Sequence, residues 1–311
     1  MIRLGFAVRA LGRPGLVVGN GRSRLPDLSV GLVGLGDMLG YLRQVGVHFY
    51  RAALALPAQD GLQQLAACNE QIALLAQQLA TADVRVSIHL PLGLALASSD
   101  AAQASAAIAS IEATAALLAS LDAARPAGGV EGIMVAHLGA PSAEAASYQR
   151  FALRYRALSW QARQRLALEH GSEGPSLGQL LVLHQQCGVP LVFDALHWAL
   201  HNPEQIALDV ALGLALATWP PNIRPEVHLS SQRGEAHLLP QRAGQAAQVL
   251  PPRPGQHADY VAFSELEQLL VAARGLPPFD LMLEAKAGDL ALLRLRSTLV
   301  QRTPALAQRV R

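Results

Sequence analysis

Residues 189–203 read VPLVFDALHWALHNP. From Val189 to Phe193 the run is apolar enough for a strand buried on both faces. Asp194 ends it, and Asp194-x-x-His197 puts a second polar group one turn further on. Burying an unpaired ionisable group at the end of an apolar run is costly. Such a residue needs a partner, and the C-terminal end of a parallel strand is where barrel enzymes place their chemistry.

The same grammar repeats along the chain. Short β-type runs occur at IRLGFAV (2–8), VHFYRAAL (47–54), VRVSIHL (84–90), GIMVAHLG (132–139), QRLALEH (164–170), VPLVFDAL (189–196), PEVHLSS (225–231) and DLMLEAK (280–286). Helical patterns separate them, among them GLQQLAACNEQIALLAQQLATA and AAQASAAIASIEATAALLASLDAA. Eight strand-helix units joined by right-handed crossovers close most naturally into a (β/α)₈ barrel, with residues 1–311 as a single domain. An open doubly wound sheet would show a G-x-G-x-x-G turn after its first strand. The loop RALGRPGLVVGNGRSRLPD (9–27) lacks that spacing, so no nucleotide cofactor is expected.

Local signals set the expected helix limits. Asp100 and Ser264 read as N-caps, the latter with Glu267 three residues on. Pro141-Ser142 and Pro203 read as helix openings, and Gly46, Gly188 and Gly275 as closures. Segment 232–258, rich in Gly, Pro and Gln, reads as an extended loop after strand seven.

Composition narrows the class. Of 311 residues, 51% are hydrophobic and 15% charged, enough apolar content for one large core. The formal charge is +2, and Lys286 is the only lysine. Arginines cluster at Arg150, Arg154, Arg156, Arg163 and Arg165 and again at Arg294, Arg296 and Arg302, as solvated helix faces or phosphate contacts. Cys68 and Cys187 are too far apart for a local metal pair and read as free thiols, consistent with a cytoplasmic protein. The N-terminus lacks a secretory pattern, and no uninterrupted apolar run of membrane-spanning length stands out, so no membrane association is expected.

The strongest functional signal is positional. His89, His137, Glu169, Asp194, His228 and Glu284 each interrupt an apolar run near its C-terminal end. In a barrel they converge on one mouth. Divalent cations stabilise such a gathering, and the mixture of imidazole and carboxylate without thiolate suits Mn, Zn or Fe. His197 follows one turn after Asp194, and His257 arrives from the loop after strand seven, where His237 competes for the same role. Five histidines and three carboxylates exceed what one ion can use, so two or three ions are expected.

The segments IHL, MVAHLG, LALEH, VFDALHWALHNP, EVHLSSQ, HADYV and LMLEAKAGDLALLRL together resemble the signature segments of the UV damage endonuclease family, distantly similar to endonuclease IV and xylose isomerase-like TIM barrels. The resemblance implies a barrel with up to three divalent ions, commonly manganese, that nicks damaged double-stranded DNA 5′ to ultraviolet photoproducts in DNA repair. It places the metal ligands on His89, His137, Glu169, Asp194, His197, His228, His257 and Glu284. It further implies that Glu169 and Glu284 bridge ions or orient water, that His228 and Asp194 fix geometry, and that His197 and His257 serve an outer ion. Lys286 is expected to meet a phosphate, and the protein is expected to act as a monomer. Three positions depart from the pattern: Leu90-Pro91-Leu92-Gly93 replaces a Pro-Gly-Gln-Tyr probe of damaged bases, Phe6 stands for a tyrosine near the site, and Glu226 for a lysine. A sugar isomerase or epimerase would use related ligands in a closed pocket, and a non-catalytic DNA-binding barrel would bind metals poorly.

Overall fold

Each apolar run contains one barrel strand, shorter than the run itself. These are β1 (Arg3–Ala7), β2 (Phe49–Ala52), β3 (Arg85–His89), β4 (Ile133–Ala136), β5 (Leu166–Glu169), β6 (Leu191–Asp194), β7 (Glu226–Leu229) and β10 (Asp280–Leu283). In the computed structural model, which describes residues 1–16, 27–92, 95–126, 129–138, 145–239 and 248–311, these strands pair in parallel and close when β10 meets β1. Helices fill the connections, giving the expected (β/α)₈ barrel. Between β7 and β10, β8 (His237–Leu239) and β9 (Gln248–Leu250) form a separate antiparallel ribbon within the segment read as irregular.

Period-two alternation divides each strand between two environments. Leu4, Phe6, Tyr50, Val86 and Ile88 join the main core with the helices. Ile133, Val135, Ala167 and Val192 form a second cluster with Trp219 and Ile223, inside the barrel. Gly5 is small because Phe49 crosses the interior beside it: a Cβ there would lie 2.5 Å from the Phe49 ring.

The strand starts carry an ionic floor. Asp280 accepts from Arg3 Nε at 2.9 Å and Nη2 at 2.7 Å, and from Arg85 Nη1 at 2.7 Å. Arg224 Nε lies 2.7 Å from the same carboxylate. Arg85 also lies over the Phe49 ring.

Several helix limits follow the local signals. α1 (Leu28–Val45) ends at Gly46 with φ 63°. α4 (Ala101–Asp122) starts where Asp100 accepts from Ala102 N and Gln103 N. α7 (Leu177–Cys187) runs from a Ser176–Gln179 capping box to Gly188 at φ 79°. Gly275 also has a positive φ, in the turn after α10 (Phe263–Ala272).

Other expectations need correction. The single helix read across 61–82 is two, α2 (Gly61–Ala67) and α3 (Asn69–Ala82), broken at Cys68. The next split separates α5 (Ala145–Ala157) from α6 (Trp160–Arg165), because Ser159 caps α6 through Ala162 N. Pro203 opens no helix: α8 (Ala195–Leu200) directly follows β6, and α9 (Leu208–Ala217) begins only after the Asn202 side chain has bonded both Ile206 N and Ile206 O. Ser264 lies inside α10 and is not its cap. The Ser231 hydroxyl does the tethering, accepting from Ala262 N and donating to Glu265. Pro141-Ser142 falls outside the described residues. The chain finishes with α11 (Asp289–Arg302) and α12 (Pro304–Ala307).

α4, though interrupted by Gln, Ser, Glu and Thr, is by length and composition apolar enough to cross a bilayer, and over half of it is buried in the fold. Its apolarity comes mainly from alanine distributed around the helix, and it lies on β4 between α3 and α6. Both cysteines are free. The arginine clusters are bound to the fold itself. Arg150 and Arg154 donate to the carbonyls of Ala97, Leu96 and Ser98, and Arg165 pairs with Asp122. Arg296 bonds Val45 O and Gly46 O at the C-terminus of α1, while Arg294 and Arg302 lie over the rings of Tyr260 and Phe263.

Candidate metal centre

Strand ends position the site. β3, β5 and β6 terminate on His89, Glu169 and Asp194, His137 follows β4 directly, and Glu284 follows β10. Register fixes their heights: Asp194 pairs with His228 across β6 and β7, and Glu284 N donates to Leu229 O at 3.0 Å.

Glu169, 2% exposed, lies at the centre. One of its oxygens lies 3.2 Å from His89 Nε2 and 3.5 Å from His137 Nε2. The other lies 3.1 Å from His228 Nδ1 and 3.3 Å from His197 Nδ1. Two ligand groups share this carboxylate: His89, His137 and Glu169 in one, and Glu169, Asp194, His228 and Glu284 in the other, with ligand atoms within 4.8 Å of one another. His197 and His257 stand outside both groups. His197 Nδ1 lies 3.9 Å from Asp194 Oδ1, and His257 Nε2 lies 3.7 Å from Glu284 Oε2.

Outer contacts orient these ligands, as they do in protein metal sites. His89 Nδ1 is 2.9 Å from Leu90 O and donates there, leaving Nε2 for the mouth. His228 Nε2 meets Glu226 Oε1 at 3.1 Å, turning Nδ1 toward Glu169. Asp194 Oδ1 caps α8 by accepting from His197 N at 2.6 Å, so one carboxylate both starts the helix and lines the centre. His170 accepts from Asp194 N through Nε2, and burial with the nearby His197 pushes its pKa down to about 3. It is a neutral support for Asp194.

The electrostatics show a surplus of negative charge. Burial pushes the Asp194 carboxyl up to about 7, with Glu169 and Glu284 adding to the rise and His197 opposing it. Burial disfavours a charged His228, but Glu169 and Glu284 outweigh it and hold the imidazole at about 10. His197 is raised to about 9, burial again being overcome by Glu169 and Asp194. Protons on these rings provide the cationic charge that the carboxylates require. Buried Glu169 Oε1, Asp194 Oδ2 and His228 Nδ1 nevertheless lack a hydrogen bond of acceptable geometry. Unsatisfied donor atoms of this chemistry, facing one another, fit hard or borderline divalent ions.

Above the cluster a cavity of about 480 Å³ opens between Ala7, Leu92, His257 and Lys286. Leu92 is 70% exposed on its rim, and Lys286 is also exposed. Gly93 falls outside the described residues. Phe6, expected near the site, is fully buried and edge-on to Tyr50 at 5.4 Å; alternation brings Ala7 to the mouth instead. His237 lies in the ribbon strand β8, while His257 is fixed near Glu284 by a bridge to Gln232.

Sequence reasoning missed Arg51. This residue, 5% exposed, projects inward from β2 and contacts Glu284, Glu226 and His228. A cation inside the apolar run HFYRAAL was the available signal. The inward Glu226, noted only as a departure, is fully buried and bonded to both Arg51 and His228.

Comparison with known proteins places the chain in a clear context. Residues 30–306 match the sequence model of UV-endonuclease UvdE. The UV DNA damage endonuclease of Bacillus velezensis is 30% identical over 148 residues, 47% of this chain and 41% of the relative. That of Bacillus pumilus is 30% identical over 168 residues, 53% and 48% of the two chains. The chain thus spans less than half the length of the curated relatives it matches. The crystal structure of SacUVDE superposes with a TM-score of 0.76 at 21% identity, covering 97% of this chain and 99% of that one. A D-psicose 3-epimerase crystallised in the presence of D-fructose shares the barrel at a TM-score of 0.55 and 14% identity, covering 91% and 85%.

Proposed function

The chain belongs to the UV-endonuclease UvdE family, and from that premise we propose that it is a metal-dependent DNA repair endonuclease, hydrolysing a phosphodiester 5′ to ultraviolet photoproducts or related lesions in duplex DNA. One observation carries this reading: imidazoles and carboxylates from separate strands converge on Glu169 with buried ligand atoms left unsatisfied.

His89, His137 and Glu169 would hold one divalent ion and Glu169, Asp194, His228 and Glu284 another, with His197 and His257 available on the outer side. When bound, such ions activate water at neutral pH and neutralise charge on a phosphodiester. The residues themselves do the positioning. Glu169 and Glu284 orient water beside phosphorus, His228 is held in one ring orientation by Glu226, and Lys286 on the rim meets a flanking phosphate. Manganese is the proposed metal, with zinc or iron compatible with the donors.

The open mouth supports a polymeric substrate over an enclosed polyol, since Leu92 and Lys286 stand exposed beside the cluster. Exposed Arg9 and Arg253 lie on loops that follow β1 and β7, on the same face. There they are available to phosphates.

Photoproduct-bearing and matched undamaged duplexes, incubated with manganese, provide the test. A single nick 5′ to the lesion, abolished by chelator, is expected. An intact lesion-bearing strand despite full metal loading would refute the proposal.

A further inference from the structure

Closure of the barrel sets two loops against each other. In the closed strand order, four steps separate β3 from β7 in either direction, so the loop after β3 and the loop after β7 face each other across the mouth. Leu92 stands on the first, and the β8–β9 ribbon grows from the second. Among the described residues, the three most exposed large apolar side chains are Leu92 at 70% and Leu238 and Val249 at 68% each.

Leu238 and Val249 are direct cross-strand partners, so their side chains stand side by side on one face of the ribbon. The ribbon pairs with no barrel strand, and an isolated two-stranded hairpin has no core in which to bury such a pair. Its root, by contrast, is tied to the mouth. Arg233 N donates to Gln256 O at 2.7 Å and Ala258 N to Ser231 O at 2.8 Å, on either side of the bridge from Gln232 to His257. The Gln232 side chain closes the base, donating to Arg253 O at 2.9 Å and accepting from Gly255 N at 2.8 Å. His257 in turn lines the cavity beside Glu284.

Charge indicates what meets this face. Residues 232–258 carry Arg233, Arg242 and Arg253 against one carboxylate, Glu235, and Arg253 is exposed. Such a segment suits a polyanion. Aliphatic side chains gain nothing from phosphates. In a nucleic acid they gain by packing on base faces, which regular stacking hides and a damaged step yields more cheaply.

We propose that Leu238 and Val249 form an apolar wedge that packs against unstacked bases of duplex DNA beside the metal centre, on the side opposite Leu92. The inference rests on the endonuclease reading above and adds a determinant of its preference for distorted duplex. The wedge acts in binding and leaves the chemical step to the centre.

Manganese-loaded protein in excess is mixed with photoproduct-bearing duplex, and gels give the protein concentration at half-maximal nicking and the rate at saturation. Fluorescence anisotropy gives the affinity for matched undamaged duplex, and for the lesion duplex if it stays uncut. Leu238→Ser combined with Val249→Ser should raise the half-maximal concentration about 10-fold, the order expected for one or two aliphatic side chains left uncovered. The saturating rate and the affinity for undamaged duplex should stay close to wild type. Leu238→Met with Val249→Ile, which keeps the apolar pair, should behave as wild type. Circular dichroism verifies the fold, and the isosteric Val249→Thr, with a smaller rise expected, serves if the double variant does not fold. An unchanged half-maximal concentration, or a loss shared equally by undamaged duplex, would overturn the assignment. A wild-type dimer in sedimentation that the double variant loses would give the pair to a second copy and overturn it too. Wild type that leaves lesion duplex uncut, yet binds it about 10-fold more tightly than the double variant does, would end the endonuclease reading and keep the wedge. Wild type that binds neither duplex would sink both.

Discussion

Glu169 and Asp280 are both buried carboxylates surrounded by cationic or ionisable groups, yet their surroundings assign them different work. Glu169 is shared by both ligand groups. Glu169→Gln should therefore lower bound manganese and reduce nicking by about 100-fold or more, read by metal analysis and gel assay on the same preparation. Retained metal and activity would remove it from the centre. Asp280 has no ligand role: burial alone would raise its pKa, but Arg85 and Arg3 overcome this and hold it below the usual carboxylate value. Such a group stabilises the fold above its unfolded-state pKa and loses that contribution as pH falls through its folded-state pKa. Asp280→Asn leaves buried guanidinium groups without their anion and should cost about 3–5 kcal/mol at pH 7. Urea unfolding at pH 7 and pH 3 should show the gap between wild type and variant narrowing at the lower pH. An unchanged gap would contradict the ionic account.

Elements differ in how much of their form is local. Asp100 and Gly188 delimit α4 and α7 by bonds and backbone angles within a few residues, so they were legible. The start of α10 depends on Ser231, and the loop before α9 on Asn202 closing around Ile206, and no propensity pattern over α10 or α9 contains those contacts. Alternation moved Phe6 away from the mouth once the strand's phase was known. The loop after β3 brings Leu92, largely exposed, to the rim of the mouth. Replacing Leu92 by Gln and Gly93 by Tyr should increase the ratio of cleavage on damaged over undamaged duplex at constant metal content. An unchanged ratio would show that this loop does not probe bases.

At the level of the whole molecule, the barrel has an ionic floor of arginine around Asp280 and a mouth of imidazole and carboxylate around Glu169. The mouth was readable because parallel strands impose one direction: a polar residue late in each run must arrive at the same face. Arg51 was not readable as its partner, since its contacts with Glu226 and Glu284 span more than half the chain and exist only after closure. Long-range pairings of this kind also explain why the basic clusters gave little guidance. Arg150, Arg154, Arg165 and Arg296 are tied to carbonyls and carboxylates of other elements.

The most direct measurement is anomalous diffraction from crystals equilibrated with manganese, recorded near the metal absorption edge. Two peaks are predicted, one among His89, His137 and Glu169 and one among Glu169, Asp194, His228 and Glu284. Fully formed crystals with no peak at the barrel mouth, or with manganese bound only elsewhere on the surface, would contradict the account.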